Sequence, residues 1–177
     1  MASTTNRLMT FAEFERMTDS DRRYELRHGE LVKLPPPELP HYQIQRRLRR
    51  LLEPAALEAA KIDIEFAFRA LPEYEYRIAD VAFISRDRWE RLRYGRYFEG
   101  VPDIVIEVLS PSNTSAEMRD KEHLCLSSGA KEFWIVDGKR KLVTVSAANG
   151  ATVEYKYDQE IPLLFGGAVR VDEIFQD

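Results

Sequence analysis

Three charged residues stand where the local pattern asks for apolar ones. In PDIVIEVLS, Ile104, Ile106 and Val108 point one way and Val105, Glu107 and Leu109 the other. Both faces are apolar, so the strand belongs at the centre of a sheet covered on both sides. Glu107 then occupies a place that ordinarily holds Val or Ile, where an ionised carboxylate is costly unless it is paired or binds a metal. RIADVAFI repeats the anomaly: Ile78, Val81, Phe83 and Ile84 fill both faces, and Asp80 sits among them. Two readings account for such a pair. One is a buried ion pair to an arginine such as Arg77 or Arg69. The other is a pair of oxygen ligands for a hard cation, since Mg²⁺ suits one or two carboxylates plus waters and a substrate phosphate.

Asp103 is a third acid close by, but it precedes Glu107 by four residues on the same strand. At a strand rise of about 3.3 Å per residue the two lie roughly 13 Å apart, too far for one ion. Asp103 is therefore read as a cap at the start of the strand.

The third anomaly is Lys121. In the helix that follows, Met118, Leu124 and Cys125 define the inward stripe, and Lys121 lies three residues after the first and four before the last. Either its stem snorkels past the core to solvent, or its ammonium meets the two carboxylates across the turn SPSNTS. Two acids and a lysine turned inward from adjacent elements can cleave a phosphodiester. A metal polarises the phosphate and acidifies water, while the lysine positions or deprotonates that water and offsets charge on phosphorus.

The elements that must hold these groups are legible in outline. Thr10 and Glu13 form a capping box opening a short helix with Phe11, Phe14 and Met17 inward. YELRHGELVKL reads as a hairpin turning at Gly29, and PPPELP as a connector. Ile44, Leu48, Leu51 and Leu52 mark one helix face, with His41 at its start. IDIEFAFRA, EYRIADVAFIS and PDIVIEVLS read as strands, with RDRWERL a short helix between the last two. Thr114 and Glu117 open a helix that Gly129 closes. KEFWIVD is a further strand, and LVTVSA and TVEYKY, joined at Asn149-Gly150, a terminal hairpin. The order αβββαβ, with extra hairpins, predicts an α/β (α+β) fold with helices flanking one central mixed sheet.

The whole chain narrows the classes. Its 177 residues suit a single domain over 1–177. At 44% hydrophobic and 32% charged, its composition is globular. No apolar run approaches the roughly 20 residues that span a bilayer, and the first ten residues lack a signal-peptide core. Cys125 is the only cysteine, so a Cys-rich zinc site is excluded. The expectation is a cytoplasmic protein. A net charge of −4 is no basic footprint for nucleic acid. The arginine groups at 46–50 and 86–96 and the basic run Lys139, Arg140, Lys141 read as solvated faces.

Taken in series, these segments resemble the Uma-two family of endonucleases (domain of unknown function eight-twenty), a branch of the PD-(D/E)XK superfamily. RRYELRHGELVKLPPP is similar to its N-terminal hairpin and proline run, RIADVAFIS to its first acidic strand, PDIVIEVLSPS to its most specific segment, and RDKEHLCLSSGAKEFWIVD to the following helix and strand. The resemblance covers nearly the whole chain. It implies a restriction-endonuclease-like core, with Asp80 and Glu107 as motif acids and metal ligands. It also implies that Lys121 is the motif lysine migrated to the next helix, since Leu109 stands at the usual position. Glu25 is similar to a frequent acidic residue of the family, and His41 matches a histidine that usually opens the first core helix; both are candidate supporting residues. Ala79 replaces the usual proline before the aspartate, and Cys125 a common tyrosine. The implied protein is a Mg²⁺-dependent endonuclease, with Mn²⁺ as substitute, acting on nucleic acid, DNA foremost, as a homodimer. The competing readings are a catalytically silent nucleic-acid-binding or regulatory module on the same fold, and a glycosidase. The glycosidase is disfavoured because its acids would have to face a sugar cleft.

Overall fold

A computed structural model describes residues 7–17, 23–57, 59–92 and 95–176. Arg22 and Arg93, which belong to segments used above, lie outside the described residues.

Period-two alternation through the middle of the chain builds one six-stranded sheet. Its strands are β3 (Ala60–Phe68), β4 (Arg77–Ser85), β5 (Ile104–Val108), β6 (Glu132–Asp137), β7 (Leu142–Ala147) and β8 (Thr152–Tyr155), side by side in that order. The β5–β6 pair is parallel and the others are antiparallel, so the sheet is mixed. Parallel neighbours need a crossover, and α4 (Ser115–Ser127) supplies it. All five residues of β5 are buried, as its two apolar faces require.

Helices cover both faces. On one, α2 (Leu39–Ala56) and the short α5 (Val171–Phe175) seal Val81, Phe83, Ile106 and Trp134. On the other, α4 and α3 (Arg86–Leu92) close over Ala82, Ile84, Val105 and Phe133. The expected order αβββαβ is met by α2, β3, β4, β5, α4 and β6, with α3 inserted before β5.

The smaller elements set the geometry of the site. The N-terminal helix α1 (Phe11–Glu15) has the expected capping box, and Phe11 is buried. Met17, expected inward, is instead exposed, because the helix ends before reaching it. The hairpin of β1 (Tyr24–Arg27) and β2 (Glu30–Lys33) turns at Gly29, whose φ of +80° favours glycine. A Cβ there would also lie 2.7 Å from Leu8 Cβ. The hairpin docks on the start of β4 through a pair of backbone bonds between Leu26 and Tyr76, at 2.8 and 2.9 Å. The connector PPPELP is shorter than expected: Leu39 and Pro40 already belong to the first turn of α2, where a proline costs no hydrogen bond. The chain ends in a small hairpin, β9 (Glu160–Pro162) with β10 (Ala168–Arg170), which the sequence did not disclose.

The start of α4 fixes where Lys121 falls. Thr114 Oγ1 accepts from the Glu117 amide, and the Glu117 carboxylate accepts from the Thr114 amide, giving the expected capping box. Thr114→Ala removes both the cap and half of that exchange. It is expected to cost about 1 kcal/mol, read as a lower urea midpoint at unchanged slope.

Candidate active site

Asp80 and Glu107 come from neighbouring strands, yet each is held by a different face of the protein. Glu107 continues the alternation of Val105 and turns toward α4. Its Oε2 lies 2.8 Å from Lys121 Nζ, while Oε1 is buried with no hydrogen-bond partner among the described residues. Asp80 turns toward α2. Its Oδ1 accepts from Gln45 Nε2 at 2.9 Å and lies 3.1 Å from His41 Nε2, and its Oδ2 accepts from the Val108 amide at 2.7 Å.

The backbone explains that turn. The β3–β4 ladder pairs Ile64 with Val81 and resumes with Phe66 and Ala79; Glu65 falls in the gap, opposite Asp80. Glu65 has φ +53°, a left-handed conformation that a non-glycine residue adopts at a cost. Alternation along β4 slips at the same point. Val81 joins the apolar cluster under α2, yet Asp80, its immediate neighbour, also meets α2 side chains, while Ala79 returns to the α4 side. A local break of this kind re-aims a side chain, and here the one re-aimed is an acid.

Lys121 does not snorkel. Its side chain is 6% exposed, and its ammonium donates to Glu107 Oε2 at 2.8 Å, to the Ile78 carbonyl at 2.7 Å and to Glu25 Oε1 at 3.3 Å. Three donors thus meet three acceptors. Glu25 is equally tied: Oε1 also accepts from the Ile78 amide at 2.9 Å, and Oε2 from Arg27 Nε at 2.7 Å. The alternative partners for the buried acids are engaged elsewhere. Arg77 pairs with Glu75 and Asp120, and Arg69 with Glu99. Asp103 caps the end of β4, accepting from the Ser85 amide at 2.7 Å.

Burial pushes the Glu107 carboxyl up to about 8; the Lys121 ammonium opposes that rise and the Asp80 carboxylate adds to it. Burial works against the Lys121 ammonium too, but the charges of Glu107, Glu25 and Asp80 outweigh it and hold its pKa above the usual lysine range. For Glu25, burial would raise the pKa, yet Lys121, Arg27 and the Ile78 amide dominate and hold the carboxyl down at about 2. The stability that this pairing contributes is therefore present above Glu25's ordinary value of 4.5 and disappears as pH falls toward 2. Comparing Glu25→Gln with the parent, thermal midpoints should differ most above pH 5 and converge between pH 4 and 2. A constant difference across that range would contradict the assignment.

These groups share one cavity of about 650 Å³. Glu25, His41, Glu65, Asp80, Glu107 and Lys121 line it, Pro35–Pro37 and Leu109–Asn113 wall it, and Arg23, Arg27 and Lys139 stand around it. All five candidate residues from the sequence thus converge. Glu65 and Gln45 join them unannounced. A ring nitrogen of His41 and carboxylate oxygens of Glu65 and Asp80 lie within 4.8 Å of one another. That convergence, together with the unpartnered Glu107 Oε1, is a donor set suited to a divalent cation.

Over residues 11–176 the sequence matches a family described as "Putative restriction endonuclease", Uma2. The chain belongs to the Uma2 family. Among solved structures, the fold matches "a putative nuclease belonging to DUF820" from Anabaena variabilis ATCC 29413. The TM-score is 0.83 at 20% identity, over 94% of this chain and 97% of that one. At that identity the likeness speaks to the fold. No curated protein matches the chain. In this Uma2 protein the side chain two residues after Glu107 is Leu109, which lines the cavity. The ammonium beside Glu107 comes from α4. Among the described residues no helix is long and apolar enough to cross a membrane.

Proposed function

We propose that this chain is a metal-dependent endonuclease that hydrolyses phosphodiester bonds, with DNA as substrate, using Asp80, Glu107 and Lys121. One observation carries the reading: a buried carboxylate paired to a buried ammonium, with one oxygen unpartnered, opening on the same cavity as a second strand carboxylate. A purely structural ion pair would satisfy both oxygens. The family description, a restriction endonuclease, supports DNA as the substrate.

When bound, a divalent cation supplies Lewis acidity toward the scissile phosphate and makes water acidic enough to attack near neutral pH. Asp80 and Glu107 would hold it. Val108's amide and Gln45 fix the Asp80 carboxylate from either side, so its orientation is set before any ion arrives. Lys121 keeps its proton, since the Glu107 carboxyl, the Ile78 carbonyl and the Glu25 carboxylate surround it as acceptors. It serves as a fixed positive charge that orients Glu107 and offsets charge developing on the phosphoryl oxygens, not as the base. Glu25 holds Lys121 from behind, through the docked β1–β2 hairpin. Lys139, at the cavity edge, places a cation where a polyanionic backbone would run.

We further assign the working unit as a cytoplasmic homodimer of single-domain chains, because one cavity per chain cuts one strand and a duplex break needs two. The test is incubation of purified chain with supercoiled plasmid, single-stranded DNA and RNA, each with Mg²⁺, Mn²⁺ or EDTA. Metal-dependent cleavage of DNA supports the assignment. Cleavage of RNA alone would overturn the substrate, and cleavage unaffected by EDTA would overturn the mechanism.

A further inference from the structure

The arginines of α2 are more numerous and less partnered than the helix itself requires. Arg46, Arg47, Arg49 and Arg50 stand against one acid, Glu53, in a chain whose net charge is −4. None of the four lies in the last turn, where the helix dipole would favour a cation. Arg47 donates to the Ile174 carbonyl at 3.0 Å, and Arg49 pairs with Glu53 and Asp63. Arg46 and Arg50 are exposed and have no ion pair or hydrogen bond among the described residues. They stand four residues apart, so two like charges neighbour each other along one ridge and destabilise the helix. A face shaped for stability alone would set an acid at that spacing, as Glu53 is set against Arg49.

The same ridge begins at the candidate active site. Pro40, His41 and Ile44, from the first turns of α2, line the cavity that holds Glu107 and Lys121. Tyr42 follows His41, is 37% exposed, and starts the ridge that Arg46 and Arg50 continue in steps of four. At a rise of about 1.5 Å per residue, Arg46 lies about 7.5 Å beyond His41 along the helix axis and Arg50 about 13.5 Å. We infer that the outward face of α2, through Arg46 and Arg50, holds the phosphate backbone of the nucleic-acid substrate where it leaves the cavity. This deepens the nuclease reading and rests on it for the backbone's being a substrate. A guanidinium presents paired donors that match phosphate oxygens. Such contacts fix the position of a strand without reading its bases. They also give a chain of negative net charge a local hold on a polyanion, because positive charge is gathered on the helix that leads from the cavity.

Binding of a mixed-sequence DNA duplex to the full chain, measured in EDTA over a series of salt concentrations, tests the surface without cleavage. Each phosphate contact adds about one unit to the slope of log affinity against log salt. Arg46→Gln/Arg50→Gln is therefore expected to make that slope shallower by about 2. It is also expected to weaken binding at least about tenfold at low salt, by the same factor for duplexes of different sequence. Its thermal midpoint should hold or rise, since two like charges are removed from one ridge. Arg46→Lys/Arg50→Lys keeps the charges and should keep most of the slope. An unchanged slope in the folded glutamine variant would overturn the surface, and so would an unaltered chain that binds no DNA. The two proposals fail separately. Binding that depends on Arg46 and Arg50 without cleavage of any nucleic acid overturns the nuclease and leaves the surface. Metal-dependent cleavage with a slope indifferent to both arginines does the reverse.

Discussion

Glu107→Gln will lose metal-dependent cleavage by about 10³-fold, the scale on which removal of a single transition-state-stabilising group acts, while the metal-free protein keeps or gains stability. The loss follows from taking away an anionic ligand. The stability follows from what Glu107 costs when no ion is present. It is a carboxylate at 6% exposure whose Oε1 has no partner, and burial pushes its pKa up to about 8. Glutamine keeps the shape and an oxygen for the Lys121 ammonium but carries no charge. Function and stability therefore move in opposite directions, as they do where a site holds strain for its task. Thermal midpoints in EDTA and plasmid nicking in Mn²⁺ on the same preparations check both halves. A destabilised Glu107→Gln would mean that the residue is structural.

Lys121→Met will be inactive and, unlike Glu107→Gln, destabilised. A snorkelling lysine could be replaced almost silently, but this one compensates two buried carboxylates. Leaving buried charge without its partner costs about 3–5 kcal/mol. Glu25 retains Arg27 and the Ile78 amide, so most of the penalty falls on Glu107, which escapes it by staying protonated. The sign follows. A carboxyl whose folded pKa is raised above its unfolded value gives up stability as pH rises. The stability deficit of Lys121→Met should therefore be small near pH 5 and grow toward pH 9. The double variant Lys121→Met/Glu107→Gln should recover most of the stability and none of the activity. Non-additivity of that kind is the signature of two residues in contact, and simple additivity would separate them.

Asp80, Glu107 and Lys121 were legible because each interrupts an apolar pattern: two strands buried on both faces, and the inward stripe of a helix. Glu25 and His41 were legible only through family resemblance. Glu25 alternates in a short hairpin strand where an acid reads as solvent-facing, and nothing local shows that the hairpin docks through Leu26 and Tyr76 over Lys121. Glu65 was invisible for the same reason. In IDIEF an acid at alternate positions reads as the wet face of a strand, and only its backbone reveals the break that turns Asp80 toward α2. Gln45 sits beside a run of arginines and reads as one more polar surface residue, yet it is fully buried. The sheet and its helices followed from periodicity and from two capping boxes, both present. The β9–β10 hairpin and α5 did not, because strands of three residues and a five-residue helix are too short to show a period.

The most direct test is nicking of supercoiled plasmid by the purified chain and by Glu107→Gln, side by side, with Mn²⁺ and with EDTA. The account predicts nicked circles from the unaltered chain with Mn²⁺, and from neither protein in EDTA. Glu107→Gln with Mn²⁺ should yield about a thousandth of the unaltered rate. Equal nicking by the two proteins would contradict it, because Asp80, Glu107 and Lys121 could not then be the groups that cut.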